Sequence, residues 1–161
     1  MSKNKEVAET YEDNVFIEVD PEAEAAAALE VKGNDLMDAL LNTPDQTTTD
    51  VYMKRFGTHF TLRAIDSGEY RKLEKRCTYH MKNKRTGKIS KELDEDKFSY
   101  VLINAACINP KWSNPQLLEK YNTSDPCDVI QKRLYIGEIT ELTQAIMDIS
   151  GFSDEVEEIK N

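Results

Sequence analysis

Two histidines and three scattered cysteines are all that this chain of 161 residues offers to chemistry needing a proton shuttle or a soft metal ligand. The cysteines, Cys77, Cys107 and Cys127, are odd in number and show no pairing pattern. That argues against a disulfide scaffold and for reduced thiols inside a cell. No run approaches the roughly 20 apolar residues that cross a bilayer. The opening MSKNKEVAETYEDN lacks the apolar stretch of a signal peptide. Large hydrophobic residues are also in short supply: 39% of the chain is hydrophobic against 32% charged. That balance suits one small core with solvated ends. The expectation is a cytoplasmic protein with no membrane contact.

Sites of catalysis are equally thin on the ground. His59 and His80 sit in no local signature of a nucleophile, base and orienting carboxylate. CTYH, Cys77 to His80, has the spacing of one metal-ligand pair, but a structural zinc site needs two such pairs. RTGKIS resembles the end of a phosphate loop, yet isoleucine follows Lys88 and lysine stands where the first glycine belongs. Without that glycine the backbone amides cannot wrap a phosphate. No catalytic residue, cofactor or metal is expected, and the chain reads as a non-enzyme.

What is present is charge, distributed unevenly. Residues 1–50 hold 3 basic and 13 acidic residues, 51–91 hold 12 and 3, and 92–161 hold 6 and 14, giving −10, +9 and −8 and the overall −9. A net negative surface repels phosphates, so nucleic acid is not an expected partner for the whole chain. The basic middle between acidic flanks suits pairing across the fold, with another copy, or with an acidic partner.

Along the chain, residues 1–20 read as mobile or peripheral. Pro21 to Glu30 has high helix propensity but little to bury, so it is expected to be helical only when docked. Asn34 to Asn42 reads as a separate short helix capped by Asn34, with Leu36, Met37, Leu40 and Leu41 on one face. In DVYMKRFGTHFTLRAI the period shortens to two, with Val51 and Met53, then Phe60, Leu62 and Ala64, alternating around Gly57. That is a β-hairpin. Asp66 or Ser67 then caps a helix, SGEYRKLEKRCTYHM, with Tyr70, Leu73, Cys77 and His80 or Met81 along one side, followed by a polar, basic loop or small excursion, KNKRTGKIS.

A buried helix follows from Asp94, with Phe98, Val101, Leu102, Ala105 and Ala106 inside. Two Asn-Pro steps mark turns. Leu117, Leu118 and Tyr121 define a short helix, and Val129, Ile130 and Leu134 another, capped by Ser124 or Asp125. The closing GEITELTQAIMDISGF places Ile139, Leu142, Ile146 and Ile149 three or four apart, with Ser150-Gly151 as its stop. The fold class is mainly α (α+β), a small helical domain with one N-terminal β-hairpin packed on helices. Its expected parts are an acidic, partly disordered arm over 1–33, a helical domain over 34–152 with the hairpin near 50–65, and an acidic disordered tail over 153–161.

Two segments, YMKRFGTHFTLRAIDSGEYRKLEKRCT and DEDKFSYVLINAACINPKWSNPQLLEKYNTSDPCDVIQKRLYIGEITELTQAIMDISGF, together resemble the XkdN-like family of phage tail assembly chaperones. The likeness rests on the order of a hairpin, a helix, an apolar helix ending in NP, an LLxKY segment and the GEI…ISGF end, over Val51 to Phe152. The resemblance implies a non-enzymatic assembly factor acting in the bacterial host cytoplasm and absent from the mature virion. It implies a tape-measure protein and a tail-tube protein as partners, with a longer frameshifted form of the chain and a second copy as further candidates. A tape measure carries long apolar helical stripes that need covering. Trp112, Leu142, Ile146, Ile149 and Phe152 are the candidate partner-binding residues, although such a stripe more often faces its own core. Two other readings stand beside this one: a small DNA- or RNA-binding phage regulator using the basic segment 71–91, and a structural tail-completion protein.

Overall fold

Local signals in the sequence decide most boundaries in the structure, a computed structural model that describes residues 20–152. Those residues form six helices, one three-stranded and one two-stranded antiparallel sheet, an α+β fold as expected. The chain divides into two units between Pro44 and Asp45. The outer parts of the acidic arm and tail, residues 1–19 and 153–161, lie outside the described residues.

Among its described residues, the first unit contains one helix, α1 (Pro21–Asn42). Asp20 begins it: the carboxylate accepts from Glu22 N at 3.0 Å, Pro21 needs no N–H partner, and Glu22 and Glu24 favour the positive helix end. The helix runs unbroken through Gly33 and Asn34, so Asn34 is not a cap and the expected boundary at 33/34 falls in mid-helix. A glycine in a helix interior costs about 1 kcal/mol. Breaking and restarting would orphan backbone groups at two new ends and require a second nucleation. A lone helix has no core of its own, and Leu29, Leu36, Met37, Leu40 and Leu41 are 55–74% exposed.

The second unit opens with β1 (Thr48–Met53) and β2 (Thr58–Arg63), paired from Thr48↔Arg63 to Met53↔Thr58. Gly57, at φ 66°, closes the turn and donates to Met53 O at 2.9 Å. Alternation sends Met53, Phe60 and Leu62 into the core. Then α2 (Ser67–Cys77) is capped by Asp66, which accepts from Glu69 N at 2.8 Å.

Here the structure departs from expectation. The helix stops at Cys77, and the segment expected to be helix end and loop forms a second hairpin, β3 (Thr78–Lys82) and β4 (Ile89–Leu93). β-Branched Thr78 takes extended angles while its hydroxyl donates back to Glu74 O at 2.7 Å. Asn83 shapes the turn, its side chain accepting from Arg85 N at 2.8 Å and Thr86 N at 3.2 Å, and Gly87 supplies φ 71°.

Next come α3 (Glu95–Ala106), β5 (Cys107–Asn109), α4 (Pro115–Lys120), α5 (Pro126–Arg133) and α6 (Ile136–Ile149). Asp94, Asn114 and Asp125 cap α3, α4 and α5. Pro follows the cap directly in α4 and α5. β5 adds to β2, giving the order β1-β2-β5, and the Asn109–Pro110 peptide beyond it is cis. The centre of the unit is α3, which packs on α2, α5 and α6, while α6 also lies against β1 and β2. Phe98, Val101, Leu102 and Ala106 are buried as expected. Ile103 joins them, whereas Ala105 is only half-buried.

Candidate interaction surfaces

The apolar stripe of α6 belongs mainly to the core of its own unit. Leu142 and Ile146 are 0% exposed, Ile139 is 6% exposed, and Ile149 is half-buried against the same cluster. Trp112 is also buried, its ring meeting Phe60 edge-on at 5.9 Å. Burial therefore takes Trp112, Leu142 and Ile146 away from any partner that docks on the folded chain. Of the five candidate contacts, Phe152 alone is substantially exposed, at 50%, and it stacks on Tyr70 at 5.3 Å. Gly151 at φ 91° turns the chain so that Phe152 N donates to Met147 O at 2.9 Å, which fixes that ring beyond the helix end.

Other apolar side chains reach the surface instead. Tyr135 and Ile136, at the start of α6, are 65% and 75% exposed. Ile136 borders a groove of about 260 Å³ between α3 and α6, with Tyr100, Ile139 and Met147 along it. The hydroxyl of Thr143 lies at the same groove without a hydrogen-bond partner. A larger and more polar depression of about 440 Å³ is lined by Arg76, Asp94, Lys97, Asp125 and Cys127, among others. The outer face of the three-stranded sheet presents Tyr52 against His59, ring centres 5.0 Å apart.

Sequence patterns missed the corner that joins the first hairpin to α6. Arg55 grips Glu138 with both nitrogens, Nε to Oε1 at 2.7 Å and Nη2 to Oε2 at 2.6 Å, and donates to Arg133 O at 2.7 Å. Its guanidinium lies between the rings of Phe56 and Tyr135, at 4.5 and 4.0 Å. Glu138 also accepts from Tyr135 N at 2.8 Å, which satisfies one of the first backbone donors of α6. The hydrogen bonds from Arg55 hold the Glu138 carboxyl below its ordinary range. The two residues are 83 positions apart, so no local pattern signals the pair.

The groups weighed for chemistry are dispersed. His59 lies on β2 and His80 on β3, in different sheets. Among the described residues no group of three or more His, Cys, Asp or Glu side chains is placed to hold a metal ion. Cys77, Cys107 and Cys127 are free thiols. Burial pushes Cys107 and Cys127 each up to about 11, with Trp112 partly offsetting it at Cys107 and Asp125 adding to it at Cys127. No helix among the described residues is long and apolar enough to cross a membrane.

The sequence comparisons give the class of this small α+β unit. The chain belongs to the family of phage XkdN-like tail assembly chaperone proteins, whose model matches residues 37–161. Among its relatives are YqbN and the phage-like element PBSX protein XkdN, both of Bacillus subtilis strain 168. Each is 29% identical over 102 residues, spanning 63% of this chain and 68% of the relative. The crystal structure of the protein YqbN shares the fold at a TM-score of 0.51, with 24% identity over 69% of this chain and 90% of that one.

Proposed function

We propose that this protein binds the tape-measure protein of a phage tail, keeps it soluble, and helps recruit tail-tube subunits around it. It does so without chemistry of its own, in the host cytoplasm, and leaves before the virion is complete. The observation that carries this reading is membership of the tail assembly chaperone family over residues 37–161. The physical argument runs the same way. Long apolar helical stripes aggregate unless covered, and an amphipathic helix is covered by a groove or by another helix face. The groove beside Ile136 and the apolar side of α1 are surfaces of that type.

Co-expression with the tape-measure protein encoded nearby is the test, with solubility and co-purification at modest salt as readouts. A tape measure that becomes soluble only with this chain supports the reading. One that stays insoluble, with nothing co-purifying, refutes it. Recovery of the chain in purified particles would favour a structural tail-completion protein instead.

A further inference from the structure

The groove between α3 and α6 lies wholly within the unit of residues 45–161, and its walls constrain what fills it. Ile136, Ile139 and Met147 follow one another along α6, with Tyr100 on the α3 side. From Ile136 to Met147 the wall runs for about 16 Å, or about three helical turns. Both walls are helices, whose backbone groups bond among themselves. An extended segment laid between them would find no backbone partners. A helix arrives with its own bonds made and inserts apolar side chains three, four and seven positions apart.

The charge of the groove narrows the choice further. Among the described residues its charged lining is Glu95 and Asp96, with no lysine, arginine or histidine. The larger depression shares Tyr100 and Asp96 with it and adds Asp94, Asp125 and Asp128 against Arg76 and Lys97. The described helices of this chain do not suit such a site. The α1 helix has an apolar side, but residues 21–42 carry five acidic side chains and one basic. A helix of that composition meets like charge at Glu95 and Asp96. The α2 helix is basic, with Arg71, Lys72, Lys75 and Arg76, but its Leu73 and Cys77 are buried in its own core. The apolar stripes of α3, α5 and α6 are spent in the same way.

We propose that the α3–α6 groove takes an amphipathic helix of another protein, one whose apolar stripe is bordered by lysine or arginine. The stripe covers Ile136, Tyr100 and Met147, and the cations meet Glu95 and Asp96. The inference rests on the chaperone reading and gives its partner a chemistry: a tape-measure segment with a basic border.

The test adds labelled synthetic helices of about five turns to the full-length chain and follows fluorescence anisotropy. Two share one leucine stripe, bordered by lysine in the first and by glutamate in the second; a third is residues 21–42 of this chain. The lysine peptide is expected to bind about tenfold or more tightly than either of the others. Ile136→Ser weakens it by about tenfold, since the peptide then covers less apolar surface. Glu95→Gln/Asp96→Asn removes the preference for lysine, and Glu95→Lys/Asp96→Lys reverses it. Glu92→Lys/Glu119→Lys, which changes net charge equally at exposed positions outside the groove, leaves the preference intact. Circular dichroism and Trp112 emission check that each variant is folded. A chain that binds neither leucine peptide overturns the proposal. So does an equal loss in the Glu92→Lys/Glu119→Lys control, which would mean diffuse attraction to an acidic protein. Tighter binding of the 21–42 peptide also overturns it and gives the groove to the chain's own helix. Tape-measure solubility is read separately: if Ile136→Ser and Glu95→Lys/Asp96→Lys chains still keep the tape measure soluble, this groove is refuted and the chaperone reading stands.

Discussion

Replacing Leu142 by alanine tests whether the closing helix is a structural element or a docking strip. Leu142 is 0% exposed in the middle of α6, a helix that packs on α3, β1 and β2. The substitution removes about three carbons, worth about 2.4 kcal/mol at about 0.8 kcal/mol per buried CH₂. The hole left behind adds to this, giving about 3 kcal/mol, inside the range of about 2–5 kcal/mol for buried leucines. For a unit of about 110 residues the unfolding entropy is about 0.23 kcal/mol/K, so the midpoint falls by about 13 °C. Ile136→Ala on the same helix, where the side chain is 75% exposed, costs less than about 0.5 kcal/mol. Urea titration followed by the emission of the single tryptophan reads both, because Trp112 is buried edge-on to Phe60 and shifts to the red on unfolding. A Leu142→Ala loss under about 1 kcal/mol, or an equal loss from Ile136→Ala, would refute the assignment of this stripe to the core.

Two other outcomes follow from the described geometry. Because Arg55 depresses the Glu138 carboxyl, the stabilisation is complete above the ordinary carboxylate value of 4.5 and is lost as pH falls through the lower folded value. Glu138→Gln will therefore flatten the acid limb of the stability profile, and an unchanged limb in thermal melts between pH 5 and pH 2 (about the range in which carboxylates protonate) contradicts this. At pH 8, Cys107 and Cys127, pushed up to about 11 from 9.0, expose about a hundredfold less thiolate than unfolded thiols. Their reaction with an aromatic disulfide is expected to be slower in the native protein by about that factor or more; equal rates in native and denatured protein would sink the prediction.

Most of the interior was legible because burial imposes a period. Phe98, Val101 and Leu102, then Val129, Ile130 and Leu134, then Ile139, Leu142 and Ile146 all announce a face by their spacing, and all are buried. The first hairpin was readable from the alternation of Met53, Phe60 and Leu62 around Gly57. The second was not, since neither of its faces is buried. Tyr79 and Met81 alternate with His80 and Lys82, Ile89 shares its face with Lys91, and the preceding RKLEKR favours continuing the helix. The same limit applies to the surfaces. Periodicity finds side chains that hide, and it singled out Leu142 and Ile146, which do. The exposed Ile136 carries no such signal, and the period of Leu36, Met37, Leu40 and Leu41 on α1 marks a face that stays exposed, so spacing alone does not say which stripes are buried.

The corner at Arg55 has a consequence for descent. A lysine there keeps the charge but loses the fork that reaches both oxygens of Glu138 and the carbonyl of Arg133 at once. A neutral residue at 138 leaves a guanidinium wedged between two aromatic rings with no counter-ion. Neither half is easily exchanged alone, so the two positions are expected to change together. Lineages of this family that abandon the arginine are expected to abandon the acid with it, and the rings of Phe56 and Tyr135 soon after.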